Sequence, residues 1–379
     1  MFSCLWHWPI RSFQKYLGHD DTAAATIVAL LITVIAAALS YRLVEKTAGT
    51  YSKARDSKGI NWPPILAILV SVSTVLLVYG AAKIVREKDG VVQRLDSLPF
   101  DNIPTYLFKN PELYLLEGIA DKCPNNGRAC RLSNGAKVKA KDWQPDLILS
   151  GDSHAMAIAH ALSETPYKGR PLNLLLSGSA ACINFSGFEK TLTGGRKFER
   201  CKDAYVEFRN VLETTPTSVP ILFANFFPQY LKETGRWSKI EYKESDDAEA
   251  KPLPIREAWL DMICEISEQR QLFILKSVPT PAIPVVKTLT QSVLNGNIAN
   301  LNQASFDKPI AIHRNDKQSE EQLLQKAVKN CGATLLDPAD VLCENGVCHG
   351  TTHDVIPLFR DGSHLNLYGS RKLIPLFEK

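Results

Sequence analysis

The chain has 379 residues, enough for one large domain or two smaller units. Its 44 Lys and Arg against 40 Asp and Glu leave a net charge of +4. With no arginine-rich stripe and no paired zinc-finger cysteines, nucleic acid is not an expected partner. Hydropathy is uneven: the residues before Arg86 are strongly apolar, and those after it have the charge and aromatic content of a soluble protein.

In chain order, the start from Phe2 to Arg11 lacks the basic head, long apolar core and small-residue cleavage site of a signal peptide. It reads as the end of a membrane helix. Residues 23–43 carry no charge until Arg42, and residues 64–82 are a second uncharged run with Trp62 and Tyr79 near its edges. Each is long enough to span a bilayer, which takes about 20 apolar helical residues. Aromatics suit the interface, and Lys83, Arg86 and Lys88 close the second run. Between the runs, Lys46, Lys53, Arg55 and Lys58 outnumber Glu45 and Asp56, which places the connector on the cytoplasmic side. The second run then carries the chain outward, so the C-terminal region is expected outside the cytoplasm.

Eight of the nine cysteines lie beyond residue 120: Cys123, Cys130, Cys182, Cys201, Cys264, Cys331, Cys343 and Cys348. An even set in this region points to disulfides and an oxidising compartment. Cys123–Cys130 and Cys343–Cys348 would each close a short loop, and Cys182–Cys201 with Cys264–Cys331 would complete the set. Spacing alone leaves the connectivity open. The spacings lack the short knuckles of a zinc site, and no metal or cofactor is expected.

From residue 97 onward, short apolar strands alternate with helices. Strands are expected over 142–150, 171–176, 218–224, 271–276 and 333–336. Helices are expected over 155–162, 198–214, 257–269 and 319–330. This pattern argues for an α/β fold with a parallel sheet covered on both faces, and for ligands beyond the strand C-termini. Residues 230–260 are polar and charged and read as an exposed insertion or mobile loop.

Two segments carry chemistry. Gly151-Asp152-Ser153-His154 follows an apolar strand and opens a helix, where an exposed nucleophile is usually held. Asp361-Gly362-Ser363-His364 sets a carboxylate and an imidazole three residues apart in a turn. Together they can form a Ser-His-Asp centre, with Ser153 as nucleophile, His364 as base and Asp361 orienting the imidazole. The Ser153 N–H, the Gly178 backbone and the Asn225 side chain are candidate oxyanion donors. Each has a plainer reading: a helix N-cap for Ser153, turn residues for Asp361 and Gly178, a surface or structural histidine for His364, a strand-end cap for Asn225. Asp152 and His154 either order the turn or contact substrate.

These residues resemble a known family. Leu149-Ser-Gly-Asp-Ser-His154 and Asp361-Gly-Ser-His364 are similar to the first and last blocks of the SGNH (GDSL-like) hydrolases, with Gly178 and Asn225 at its middle glycine and asparagine blocks. Asp337-Pro-Ala-Asp340, Cys343, Cys348 and Leu358-Phe-Arg-Asp361 resemble the SGNH domain fused to membrane acyltransferases. Leu5-Trp-His-Trp-Pro9 and Leu39-Ser-Tyr-Arg-Leu-Val-Glu-Lys46 resemble the last two membrane helices of the acyltransferase-3 family, which O-acetylates lipopolysaccharide and other surface polysaccharides.

The resemblance implies a three-layer α/β/α, flavodoxin-like SGNH-hydrolase domain preceded by transmembrane helices. Residues 1–46 would be a remnant of the acyltransferase-3 membrane domain, 47–62 a cytoplasmic connector, 63–83 a transmembrane helix, 84–96 a linker and 97–379 the extracytoplasmic SGNH domain. The location would be the bacterial inner membrane, with the last domain in the periplasm. The implied reaction is O-acyl transfer, acetyl in that family, to a surface polysaccharide through an acyl-serine. The partners would be a glycan acceptor, membrane lipid, and an acyl donor supplied by a membrane acyltransferase part whose earlier helices have no counterpart in these residues. Two other readings stand beside it: a carbohydrate O-acetyl esterase, and an inactive membrane-tethered glycan-binding protein.

Overall fold

The structure, a computed structural model, describes residues 2–16, 23–42, 79–80, 83, 120–122, 129–132, 143–184, 188–192, 200–231, 237–242, 251–252, 255–294 and 301–378. The chain divides into two compact units. One holds Met1–Phe108 with Lys287–Leu301, the other Lys109–Val286 with Asn302–Lys379.

In the first unit, helices α1 (Phe2–Tyr16) and α2 (Ala23–Ser40) pack together, and Arg11 Nη1 donates to Thr26 Oγ1 at 3.4 Å. Helix α2 leaves Ile27, Leu31, Val34 and Ile35 exposed. Its 18 residues, at 1.5 Å per residue, extend about 27 Å, and a π turn at Tyr41 and Arg42 prolongs it. Among the described residues no helix is long and apolar enough to cross a membrane. Every described residue of the span expected over 23–43 is helical, the π turn at Tyr41 and Arg42 included. The one expected over 64–82 lies outside the described residues apart from positions 79 and 80.

The second unit is built on a seven-stranded sheet. Its strands are β1 (Ala120–Lys122), β2 (Ala129–Leu132), β3 (Leu147–Gly151), β4 (Leu174–Gly178), β5 (Ile221–Ala224), β6 (Leu272–Leu275) and β7 (Thr334–Leu336). The spatial order is β1-β2-β4-β3-β5-β6-β7. Strands β4, β3, β5, β6 and β7 run parallel, and their order is the 2-1-3-4-5 arrangement of flavodoxin-like sheets. These are the five strands the apolar runs predicted. The edge departs from that expectation, because β2 pairs antiparallel with both β1 and β4. Only six residues separate β1 from β2, too few for the crossover that a parallel pair needs.

Alternation along each strand sorts the core into two layers. Leu147 and Leu149 face helix α3 (Ser153–Glu164), packing with Ala155, Ile158 and Leu162. Ile148 faces the other way, into a cluster with Phe208 of α4 (Arg200–Thr214), Trp259 and Ile263 of α5 (Ile255–Ser267), and Leu324 of α6 (Gln318–Cys331). The result is three layers, α/β/α. Residues 230–260 are not simply an irregular insertion. Trp237–Tyr242 pairs antiparallel with Phe188–Leu192 and with Lys251–Pro252, forming a small second sheet, while residues 243–250 lie outside the described residues.

Three disulfides join Cys182 to Cys201, Cys264 to Cys331, and Cys343 to Cys348. Cys130 is also disulfide-bonded, and Cys123, its expected partner, falls outside the described residues.

Candidate active site

The site gathers at the C-terminal ends of β3, β4 and β5. Strand β3 ends at Gly151, whose φ is +153°, and a Cβ there would run into the Ala224 carbonyl oxygen. Gly178, at the end of β4, lies opposite Gly151 in the register, and a Cβ on it would meet the Gly151 carbonyl oxygen. Glycine at both places lets three strand ends close up just before the chain turns into α3.

Asp152, not Ser153, is the N-cap of α3. Its Oδ1 accepts from the His154 N–H at 2.8 Å. Its Oδ2 accepts from the Phe226 N–H at 2.9 Å, Gln229 Nε2 at 2.8 Å and Tyr230 Oη at 2.9 Å. Asp152 is fully buried. Burial pushes its carboxyl up from the usual range, and the donors from Phe226, His154 and Tyr230 pull against that. One carboxylate thus fastens the turn that presents Ser153 to the loop that follows β5.

Asp361 and His364 are delivered by a tight hairpin. Phe359 bridges antiparallel to Leu365, both deeply buried, and the Arg360 N–H donates to the His364 carbonyl at 3.0 Å. Within the turn, Asp361 Oδ1 accepts from the backbone N–H groups of Ser363 and His364, each at 2.8 Å. Its Oδ2 lies 2.8 Å from His364 Nδ1. His364 Nε2 lies 2.7 Å from Ser153 Oγ. Burial alone would raise the Asp361 carboxyl. Its bonds to the His364 ring and to the two N–H groups outweigh that and hold it well below the usual carboxylate range. An ionised Asp361 only accepts, so His364 carries its proton on Nδ1 and turns a free Nε2 lone pair toward the Ser153 hydroxyl.

The structure therefore brings Ser153, His364 and Asp361 into one hydrogen-bonded line. Asn225 follows β5 and is buried, and its Nδ2 has no hydrogen-bond partner among the described residues. Tyr230, Gln229 and Phe226 were not anticipated. They meet Asp152 from 74 to 78 positions away, and no spacing in the sequence signals such contacts. His154 is buried as well. Its ring stacks on Phe226 with centroids 4.7 Å apart, and on His364 at 4.2 Å.

Against known families, residues 117–379 match the SGNH domain that is fused to AT3 (acyltransferase-3) domains. The chain belongs to this family. Among curated proteins, none matches the chain. Among solved structures, it is similar to the periplasmic domain of a lipopolysaccharide acetyltransferase from Salmonella ser. Paratyphi A. That likeness has 14% sequence identity and a TM-score of 0.42, and covers 62% of this chain and 82% of that one. Membership in the SGNH family, together with the Ser153–His364 hydrogen bond, makes this chain an SGNH-type serine enzyme of acyl transfer or ester hydrolysis.

Proposed function

We propose that Ser153 accepts an acyl group, acetyl by the chemistry of the family, and passes it to a hydroxyl of a cell-surface polysaccharide or lipopolysaccharide sugar. The observation that carries this reading is the line from Ser153 Oγ through His364 to Asp361, at 2.7 and 2.8 Å. His364 Nε2 takes the Ser153 proton as Oγ attacks the acyl carbonyl carbon. The oxyanion forms facing the Ser153 N–H, the Gly178 backbone and Asn225 Nδ2. Collapse breaks the bond to the leaving group, which receives the proton from His364, and the acyl group remains on Ser153. A sugar hydroxyl then gives its proton to His364, attacks the acyl-serine and regenerates the Ser153 hydroxyl.

The setting we infer is the outer side of a bacterial inner membrane. Disulfides suit an oxidising compartment. The exposed apolar side chains of α2 suit lipid, and fusion to acyltransferase-3 domains is a property of the family. The acyl donor would come from such a membrane part.

The test uses the whole chain in membranes, an acetyl ester donor and an oligosaccharide acceptor. Acetyl release is expected from the unaltered chain and should fall about a thousandfold or more in Ser153→Ala. Acetylated sugar among the products supports transfer, whereas free acetate alone makes the enzyme an esterase. Activity unchanged in Ser153→Ala removes Ser153 from the mechanism.

A further inference from the structure

We infer that His154, backed by Phe226, is a positioning residue that holds the His364 ring in line between Ser153 and Asp361. The inference rests on the reading of His364 as the base for Ser153. Its two in-plane bonds fix His364 along one axis only. They leave the ring free to tip about the line from Nδ1 to Nε2, and a hairpin turn is a poor brake on such a tilt. A planar partner against the ring face supplies that brake.

His154 is placed for this task. Its ring lies 4.2 Å from that of His364, at an interplanar angle of 25°. Its other face lies 4.7 Å from Phe226, at 7°. Lys317 Nζ sits 4.3 Å from the centroid of the Phe226 ring, so a column of three rings ends in a cation. The backbones of the two supporting rings are held by one side chain, since Asp152 accepts from both the His154 N–H and the Phe226 N–H. The carboxylate that caps the nucleophile helix therefore also sets the spacing of the column against the base.

The column also has the right charge. Burial, and then the neighbouring His364, push the His154 imidazole well below its ordinary range, so it stays neutral. When His364 takes the Ser153 proton, the imidazolium lies against a neutral π face rather than a second cation. A charged ring at this distance would oppose that proton. A neutral imidazole gives contact without that cost.

The experiment compares His154→Ala, His154→Leu and His154→Phe in the whole chain. It reads kcat and KM on a chromogenic acetyl ester, and the rate at which a fluorophosphonate labels Ser153. The probe needs no sugar, so it reports on the Ser153–His364 pair whatever the acceptor. Phenylalanine keeps a flat face, and leucine keeps bulk without one. Alanine and leucine are expected to lower kcat and the labelling rate about tenfold or more, with KM changed less than about twofold, and phenylalanine to recover most of the loss. Should alanine fail to fold, the leucine and phenylalanine pair decides the matter. Equal rates in those two, or no loss in either, would overturn the positioning role. Labelling that persists in Ser153→Ala would instead overturn the reading of the site on which it rests.

Discussion

The Asn225 side chain is buried with its Nδ2 unpaired among the described residues, a condition that costs a folded chain about 1–3 kcal/mol. Asp152, buried close by in the fold, by contrast accepts four hydrogen bonds. A donor left open just past the end of β5 makes sense if its partner is the oxygen that becomes charged during the proposed acyl transfer, because a preorganised donor then needs no rearrangement. Asn225→Ala is accordingly expected to lower kcat about 10²- to 10³-fold, as removal of one oxyanion donor does. Stability should change little, because the substitution deletes no hydrogen bond of that amide nitrogen. Steady-state kinetics paired with a thermal melt checks this. A lower melting temperature with kcat intact would make Asn225 a strand-end cap instead.

At the scale of elements, the site depends on how closely β3, β4 and β5 approach at their ends. Gly151 pairs with Gly178 on one side and Ala224 on the other. An alanine at Gly151 meets two obstacles: a φ of +153°, and a Cβ driven into the Ala224 carbonyl. Gly332 offers a comparison. It caps α6 at a φ of +67°, with nothing within 4 Å of an added Cβ. Gly332→Ala should therefore cost only the left-handed backbone penalty, about 1 kcal/mol. Gly151→Ala should cost about 2–4 kcal/mol and reduce activity as well, because the strand end that aims Ser153 must move. Urea midpoints of the two variants test the difference, and equal shifts would mean that the strand ends relax. The elements differ in how legible they are. Four of the five parallel strands are short, buried on both faces and largely apolar, so they stand out in the sequence, as does the serine that follows the first of them. The Asp361-Gly-Ser-His364 turn is legible because its geometry is local. The small sheet is not, since Trp237–Tyr242 runs into the strongly polar residues 243–250, is short and carries Lys239 and Glu241. The edge hairpin, with Asp121, Lys122 and Arg131, is hidden for the same reason. The grip of Asp152 on Phe226, Gln229 and Tyr230, and the stacking of His154, arise only once β3 and β5 lie side by side.

At the scale of the whole molecule, the disulfides bear on where the chain can fold. Cys264 and Cys331 join helices α5 and α6 across 67 positions, Cys182 and Cys201 close 19, and Cys343 and Cys348 close 5. If a cross-link acts mainly by restricting the unfolded chain, its effect grows with the logarithm of the loop it closes. It then comes to about 4, 3 and 2 kcal/mol for these three. A domain's net stability is about 5–15 kcal/mol, so losing even the longest of them would remove much of the margin, and losing all three would take more than half of it. The domain should therefore be much less stable in a reducing compartment, which suits the proposed setting outside the cytoplasm. The order is the checkable part. Paired substitutions Cys264→Ala with Cys331→Ala should lower the urea midpoint most, Cys182→Ala with Cys201→Ala less, and Cys343→Ser with Cys348→Ser least. The three pairs are compared without reductant, so that the remaining bridges stay closed. If the short Cys343–Cys348 bridge proves the costliest to lose, the chain-entropy account fails for this protein. Its contribution would then come from native packing, because that bridge lies just upstream of the hairpin carrying Asp361 and His364. Activity would in that case fall with stability, whereas on the entropy account the folded fraction of each variant keeps its full kcat.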